Sequence, residues 1–105
     1  MKLEQAAKQL EALGNPTRLN LYRTLVRAGA AGRPVGTLQE SLGIAASTLS
    51  HHLHRLILTG LVTQERASRN LIYRAAYQRM NALLGYLTEN CCQGASCAIP
   101  AKSCC

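Results

Sequence analysis

The chain has 105 residues, is 48% hydrophobic, and contains four Tyr but no Phe or Trp. That suits one domain with a modest aliphatic core and excludes disorder on composition; no apolar run nears the roughly 18 residues that a membrane helix requires. Twelve Lys and Arg, mostly Arg, against five Glu and no Asp give a net charge of +7, the footprint of a polyanionic partner and of nucleic acid first.

MKLEQAAKQLEAL carries acids and reads as an amphipathic helix, not a signal peptide, which points to a cytoplasmic protein. Leu3, Ala6, Ala7, Leu10 and Leu13 form its apolar stripe, and Gly14 ends it. Asn15 and Pro16 suit the cap and first position of a second helix, which has Leu19, Tyr22, Leu25 and Val26 on one face and closes at Gly29. AAGRPVG is loop-like, with a short extended piece around Pro34-Val35. Thr37 to Glu40 has capping-box form and opens a short helix that stops at Gly43. The tight turn Gly43-Ile44-Ala45 leads into a helix over 46–59, which Gly60 terminates. Ala45-Ala46 is a poor start for it, because neither side chain can cap.

Two β-rich runs, 61–66 and 71–75, then flank Ala67-Ser68-Arg69-Asn70 and read as a hairpin, with Asn70 the residue suited to a left-handed turn. Met80, Leu83, Leu84 and Leu87 mark a last helix over 77–90. A short helix, tight turn, second helix and hairpin in this order make a winged helix-turn-helix, mainly α in an α+β setting.

The helix ASTLSHHLHRL, residues 46–56, carries the functional signal. Leu49, Leu53, Leu56 and Ile57 share an inward face. Ser47, Thr48, His51, His54 and Arg55 gather opposite, and Ser50 and His52 lie on the flanks. The outward face is short, rich in hydrogen-bond donors and free of acid, which is what close approach to base edges and phosphates requires. An ordinary solvated face more often carries Glu and Lys. Chelation by His51 and His52 is disfavoured, since adjacent residues point about a hundred degrees apart on a helix; His52, beside Leu56, also reads as a half-buried packing residue. Arg66, Arg69 and Asn70 on the hairpin suit phosphate or minor-groove contact. Arg74 either joins them or pairs with Glu65, and Arg18 and Arg23 either touch the DNA backbone or only solubilise. Ser50-His51 is not a Ser/His relay, and no catalytic residue is expected.

LEALGNPTRLNLYRTLVRAG, VGTLQESLGIAASTLSHHLHRLILTGLV and IYRAA together resemble the ArsR/SmtB family of bacterial metal- and metalloid-responsive repressors, over residues 3–90. The resemblance implies a homodimer through the first and last helices that binds palindromic double-stranded operator DNA without inducer and leaves it when inducer binds. The wide stripe of Met80, Leu83, Leu84 and Leu87 agrees, being more than a small core can cover. Two of the family's inducer sites lack their ligand sets here: PVGTLQESL holds no Cys, and YQRMNALLGYLTEN offers only Glu89, with no Asp or His. A third arrangement, in arsenic-responsive members, uses cysteines just after the last helix, and ENCC…C resembles it, which implies Cys91, Cys92 and Cys97.

All five cysteines lie in residues 91–105, so the expected division is a DNA-binding and dimerisation domain over 1–90 and an inducer-binding tail over 91–105. In a reducing cytosol such a cluster binds metal or works in redox more often than it cross-links. Three thiolates suit arsenic(III), and antimony(III) by the same softness, while hard cations are poorly served. Zinc, cadmium or lead would use four of the five thiolates, and a Cys92–Cys97 disulfide would make a redox switch. Cys104 and Cys105 stand outside the family pattern, and joining the site, holding a second ion, passing on inducer and idleness all stay open. The rival from another class is a thiol-based protein that sequesters metal and does not bind DNA.

Overall fold

A computed structural model describes residues 1–90. The elements in order are α1 (Leu3–Leu13), α2 (Pro16–Ala28), a 3-10 turn (Gly29–Ala31), β1 (Arg33–Pro34), α3 (Val35–Leu42), α4 (Ala46–Leu58), β2 (Val62–Ala67), β3 (Asn70–Ala75) and α5 (Tyr77–Thr88). The winged helix-turn-helix expected from the sequence is present. The expected division at residue 90 sets the tail, 91–105, outside the described residues.

The local signals place most boundaries. Asn15 caps α2 by accepting the Arg18 backbone N–H at 3.1 Å, with Pro16 in the first turn. Gly43 adopts a left-handed conformation, φ 64° and ψ 33°, and its N–H closes α3 onto the Gln39 carbonyl. α4 ends in a Schellman arrangement: Gly60 N–H donates to the Ile57 carbonyl, and Leu61 N–H reaches back to that of Leu56.

Two expectations need correction. The capping box at Thr37 does not form, because α3 starts earlier, at Val35. Pro34 occupies the cap position, and Thr37 Oγ1 donates back to the Pro34 carbonyl at 2.9 Å. Pairing of β1 with β3 (Arg33 opposite Tyr73, Pro34 opposite Ile72) delivers the chain to the helix sooner than the local sequence suggests. In the hairpin, Ser68 and not Asn70 takes positive φ (61°), since the connection is only Ser68-Arg69 and Asn70 already pairs with Ala67 as the first residue of β3. One positive-φ residue, at the first central position, matches the II′ pattern. The apolar stripe of α1 divides between core and surface, with Ala6 buried and Leu13 packed partly against the core. Ala6, Gln9 and Ala12 are buried, while Leu3 and Leu10 are 66% and 43% exposed. Two alanines let α1 approach its neighbours closely, and Leu3 and Leu10 are left outside.

The core joins Leu21, Tyr22 and Leu25 of α2, Leu38 of α3, Leu49, Leu53 and Leu56 of α4, and Leu61, Val62, Tyr73 and Ala75 of the wing. Burial pushes the Tyr73 phenol pKa up. Truncating any of these leucines to Ala would cost about 2–5 kcal/mol. The sheet runs β1-β3-β2, all antiparallel, which leaves β2 as an open edge with only Val62 buried. On α5, Leu83 alone is buried; Leu84 and Leu87 are each 52% exposed.

Candidate nucleic-acid interface

The leucines of α4 anchor it on the core and so fix what it turns outward. Leu49, Leu53 and Leu56 recur at helical spacing and are almost completely buried. Ser47, Thr48, Ser50, His51 and His54 are all exposed, together with Ala46 at the start of the helix. No side chain caps that start, so its first backbone N–H groups remain free donors beside Ser47 and Thr48. With no carboxylate on α4, the presented surface is one of hydroxyls, imidazoles and N–H groups.

Arg55 stands at the edge of this surface and is shared with α1, its guanidinium 3.6 Å from Glu11. Glu11 is largely solvated and the Arg55 side chain is 40% exposed, so the pair adds little stability and leaves Arg55 able to reach an anion. His51 and His52 part company as the helix geometry requires: their rings are tilted by 56°, with His51 in solvent and His52 half-buried. His52 Nδ1 lies 3.3 Å from Arg18 Nη1, and Arg18 Nε donates to the Ala12 carbonyl at 2.6 Å. Burial, then the Arg18 charge, then His51 hold the His52 pKa below the usual imidazole value. Arg18 is thus an internal tie and not a surface cation.

On the wing, Arg66, Arg69 and Asn70 are exposed. Arg69 sits in the two-residue tip. By register, Arg66 shares a sheet face with Val62 and Tyr73, the face that packs on the helices, whereas Asn70 pairs with Ala67 on the other. The hairpin therefore sets Arg66 and Asn70 on opposite faces, with Arg69 between them. Arg74 pairs with Glu65 at 2.6 Å, and its Nε donates to the Ala30 carbonyl, bracing the base of the wing. Cys91, Cys92, Cys97, Cys104 and Cys105 lie outside the described residues. Among the described residues no three His, Cys, Asp or Glu side chains are grouped as metal ligands, and no helix is long and apolar enough to cross a membrane.

Sequence reasoning missed one polar residue, Gln9. It is fully buried and donates Nε2 to the Thr59 carbonyl at the end of α4, at 3.0 Å. Its place between Ala6 and Ala12, three residues from each, is a signal only once those alanines are known to face inward.

The family described as Helix-turn-helix domain matches residues 13–65. The HTH-type transcriptional regulator YgaV of Escherichia coli (strain K12) is 33% identical over 85% of this chain and 88% of its own length. Nodulation protein NolR of Rhizobium meliloti is 34% identical over 82% of this chain and 68% of its own. Among solved structures, the homodimeric winged helix-turn-helix DNA-binding domain Mb0332 from Mycobacterium bovis, a possible ArsR-family transcriptional regulator, superposes with TM-score 0.67 at 26% identity. That match covers 92% of this chain and 90% of the other. A possible transcriptional regulator for arsenical resistance gives TM-score 0.66 at 30% identity, over 76% and 80%.

Proposed function

The chain belongs to the ArsR family of helix-turn-helix transcriptional regulators, and from that premise we propose that it is an arsenic(III)-responsive repressor. Its homodimer holds operator DNA in the apo form and releases it when C-terminal cysteine thiolates bind the metalloid. One observation carries the DNA-binding half: the acid-free outward surface of α4, beside an arginine-bearing wing, in a chain of net charge +7. Ser47, Thr48, Ser50, His51 and His54 face base edges and phosphates, the free N–H groups at the start of α4 receive a phosphate, and Arg55, Arg66, Arg69 and Asn70 hold the flanking backbone.

The exposed leucines of α1 and α5 support pairing of two copies, and the homodimeric state of the M. bovis neighbour is consistent with it. The tail supports the inducer reading through its donor set. Cys91, Cys92 and Cys97 supply three soft sulfurs, the coordination arsenic(III) prefers, and antimony(III) would be accepted on the same grounds. Cys91 follows the last helical residue of α5, Thr88, by three positions, so a ligand held there acts next to the exposed leucines of that helix. Restraining the pair of α5 helices would change the separation of the two α4 helices, which must match half-sites about 34 Å apart; a few kcal/mol of coupling is enough for release.

The test is fluorescence anisotropy of a labelled duplex, selected for tight binding, with reduced protein titrated separately with arsenite, antimonite, zinc, cadmium and lead. Release by arsenite and antimonite at low equivalents, lost when Cys91, Cys92 and Cys97 are all replaced by Ser, is expected. Release by the divalent ions instead would move the site to a four-thiolate cage including Cys104 or Cys105, and the arsenic reading would fall. Persistence of arsenite release in the triple variant would also sink it.

A further inference from the structure

α1 is bound to the recognition helix by polar contacts at both ends of their crossing. Gln9 of α1 donates Nε2 to the Thr59 carbonyl at 3.0 Å, at the C-terminal end of α4. Three residues along α1, the Ala12 carbonyl accepts from Arg18 Nε at 2.6 Å, while Arg18 Nη1 meets His52 of α4 at 3.3 Å. The Glu11–Arg55 pair lies between them on the surface.

Stability alone does not account for Gln9. It is fully buried, and its Oε1 has no hydrogen-bond partner among the described residues. A buried amide left half-satisfied carries a desolvation cost that Met or Leu of similar volume would avoid. What the amide supplies is direction. A hydrogen bond to one carbonyl fixes the register of α1 along α4, which apolar packing against Ala6 and Ala12 leaves free to slide. Arg18 adds a second fixed point, so α1 and α4 move as one body.

We propose that Gln9 and Arg18 are positioning residues that make the recognition helix follow α1. α1 presents Leu3 and Leu10 outward, so the pose of α1 at the subunit contact sets the distance and angle between the two recognition helices. The inference rests on the operator-binding half of the reading above, and not on the inducer.

The experiment compares wild type, Gln9→Met and Arg18→Lys on three labelled duplexes: the selected operator, the same operator with one base pair inserted between half-sites, and a scrambled sequence. Thermal midpoints and sedimentation run in parallel. Wild type is expected to lose affinity on the lengthened operator. Both variants are expected to bind the operator about 3- to 10-fold more weakly, the range one hydrogen bond accounts for. They should show a smaller spacing penalty, unchanged affinity for scrambled DNA and unchanged dimerisation, with the midpoint of Gln9→Met no lower than wild type. Variants that keep operator affinity and spacing penalty within about twofold of wild type, the resolution of such affinity ratios, would overturn the proposal while leaving the repressor reading intact. A wild-type protein that does not distinguish operator from scrambled DNA would overturn both.

Discussion

The guanidinium of Arg18 and the imidazole of His52 share a contact, Nη1 to Nδ1 at 3.3 Å, that only a neutral His52 can make. Arginine has no lone pair to offer, so Nδ1 must accept and the ring proton must sit on Nε2. Protonation would remove the acceptor and set two cations side by side.

This gives stability a definite pH dependence. The folded-state pKa of His52 lies below its unfolded value, so the unfolded chain takes up the proton first as pH falls. The His52 contribution is complete above the unfolded value of about 6.5 and declines as pH drops through it toward the lower folded value. Urea unfolding of wild type and His52→Gln at pH 7.5 and 5.5 checks it. Wild type should lose more stability between the two than the variant, which keeps an acceptor and does not titrate. Equal losses would assign the pH dependence elsewhere.

Removing a wing cation should change salt sensitivity before specificity. Arg69→Ala or Arg66→Ala should each lower the slope of log affinity against log salt by about 1, for selected and scrambled duplexes alike. His51→Ala should instead cost about 1–3 kcal/mol on the selected duplex and little on the scrambled one, if it reads a base edge. Anisotropy across a salt series separates these behaviours.

The outward leucines of α5 provide a test of pairing. Leu84→Glu with Leu87→Glu replaces two half-exposed side chains, so the isolated fold should survive. Sedimentation should show a monomer, and affinity for a palindromic duplex should fall to near that for a single half-site. A doubly substituted protein that still sediments as a dimer would move the interface away from α5.

Gly29 and Gly32 share a backbone region that side chains rarely enter, with φ/ψ of 77°/−161° and 70°/−167°. Their surroundings differ. A Cβ at Gly29 would meet nothing within 4 Å, whereas one at Gly32 would stand 2.6 Å from the Tyr73 carbonyl oxygen and 2.7 Å from Arg74 Cγ. Gly29→Ala should cost about 1–3 kcal/mol of backbone strain, and Gly32→Ala clearly more, since β3 must also move away from β1. Chemical denaturation of the two variants gives the comparison.

Elements whose signals are local could be read directly. Gly14, Asn15-Pro16, Gly43 and Gly60 punctuate the helices, and Leu49, Leu53 and Leu56 orient α4 by period alone, so its presented side followed from the sequence. What could not be read depends on partners far along the chain. The start of α3 is set by strand pairing nearly forty residues downstream, at Ile72 and Tyr73. Gln9 takes its role from Thr59, and Arg18 from His52. The stripe of Ala and Leu on α1 does not itself say which of its residues face the core: Ala6 does, Leu13 does in part, and Leu3 and Leu10 do not.

The open rim of β2 has one further consequence. A free strand edge offers unpaired N–H and C=O groups as a template on which another chain can zip. Here the outer strand reads Val62-Thr63-Gln64-Glu65-Arg66-Ala67, exposed from Thr63 onward, and its two charges of opposite sign lie at the distal half. Like-for-like stacking of copies would bury Glu65 and Arg66 among neighbours they do not match. Arg66, proposed above to hold the DNA backbone, is thus also a charge on the edge that opposes in-register stacking of the unbound protein. An Arg66 substitution chosen to weaken DNA binding is therefore expected to lower solubility as well, and loss of binding by that variant is to be read only in samples shown to be free of aggregates.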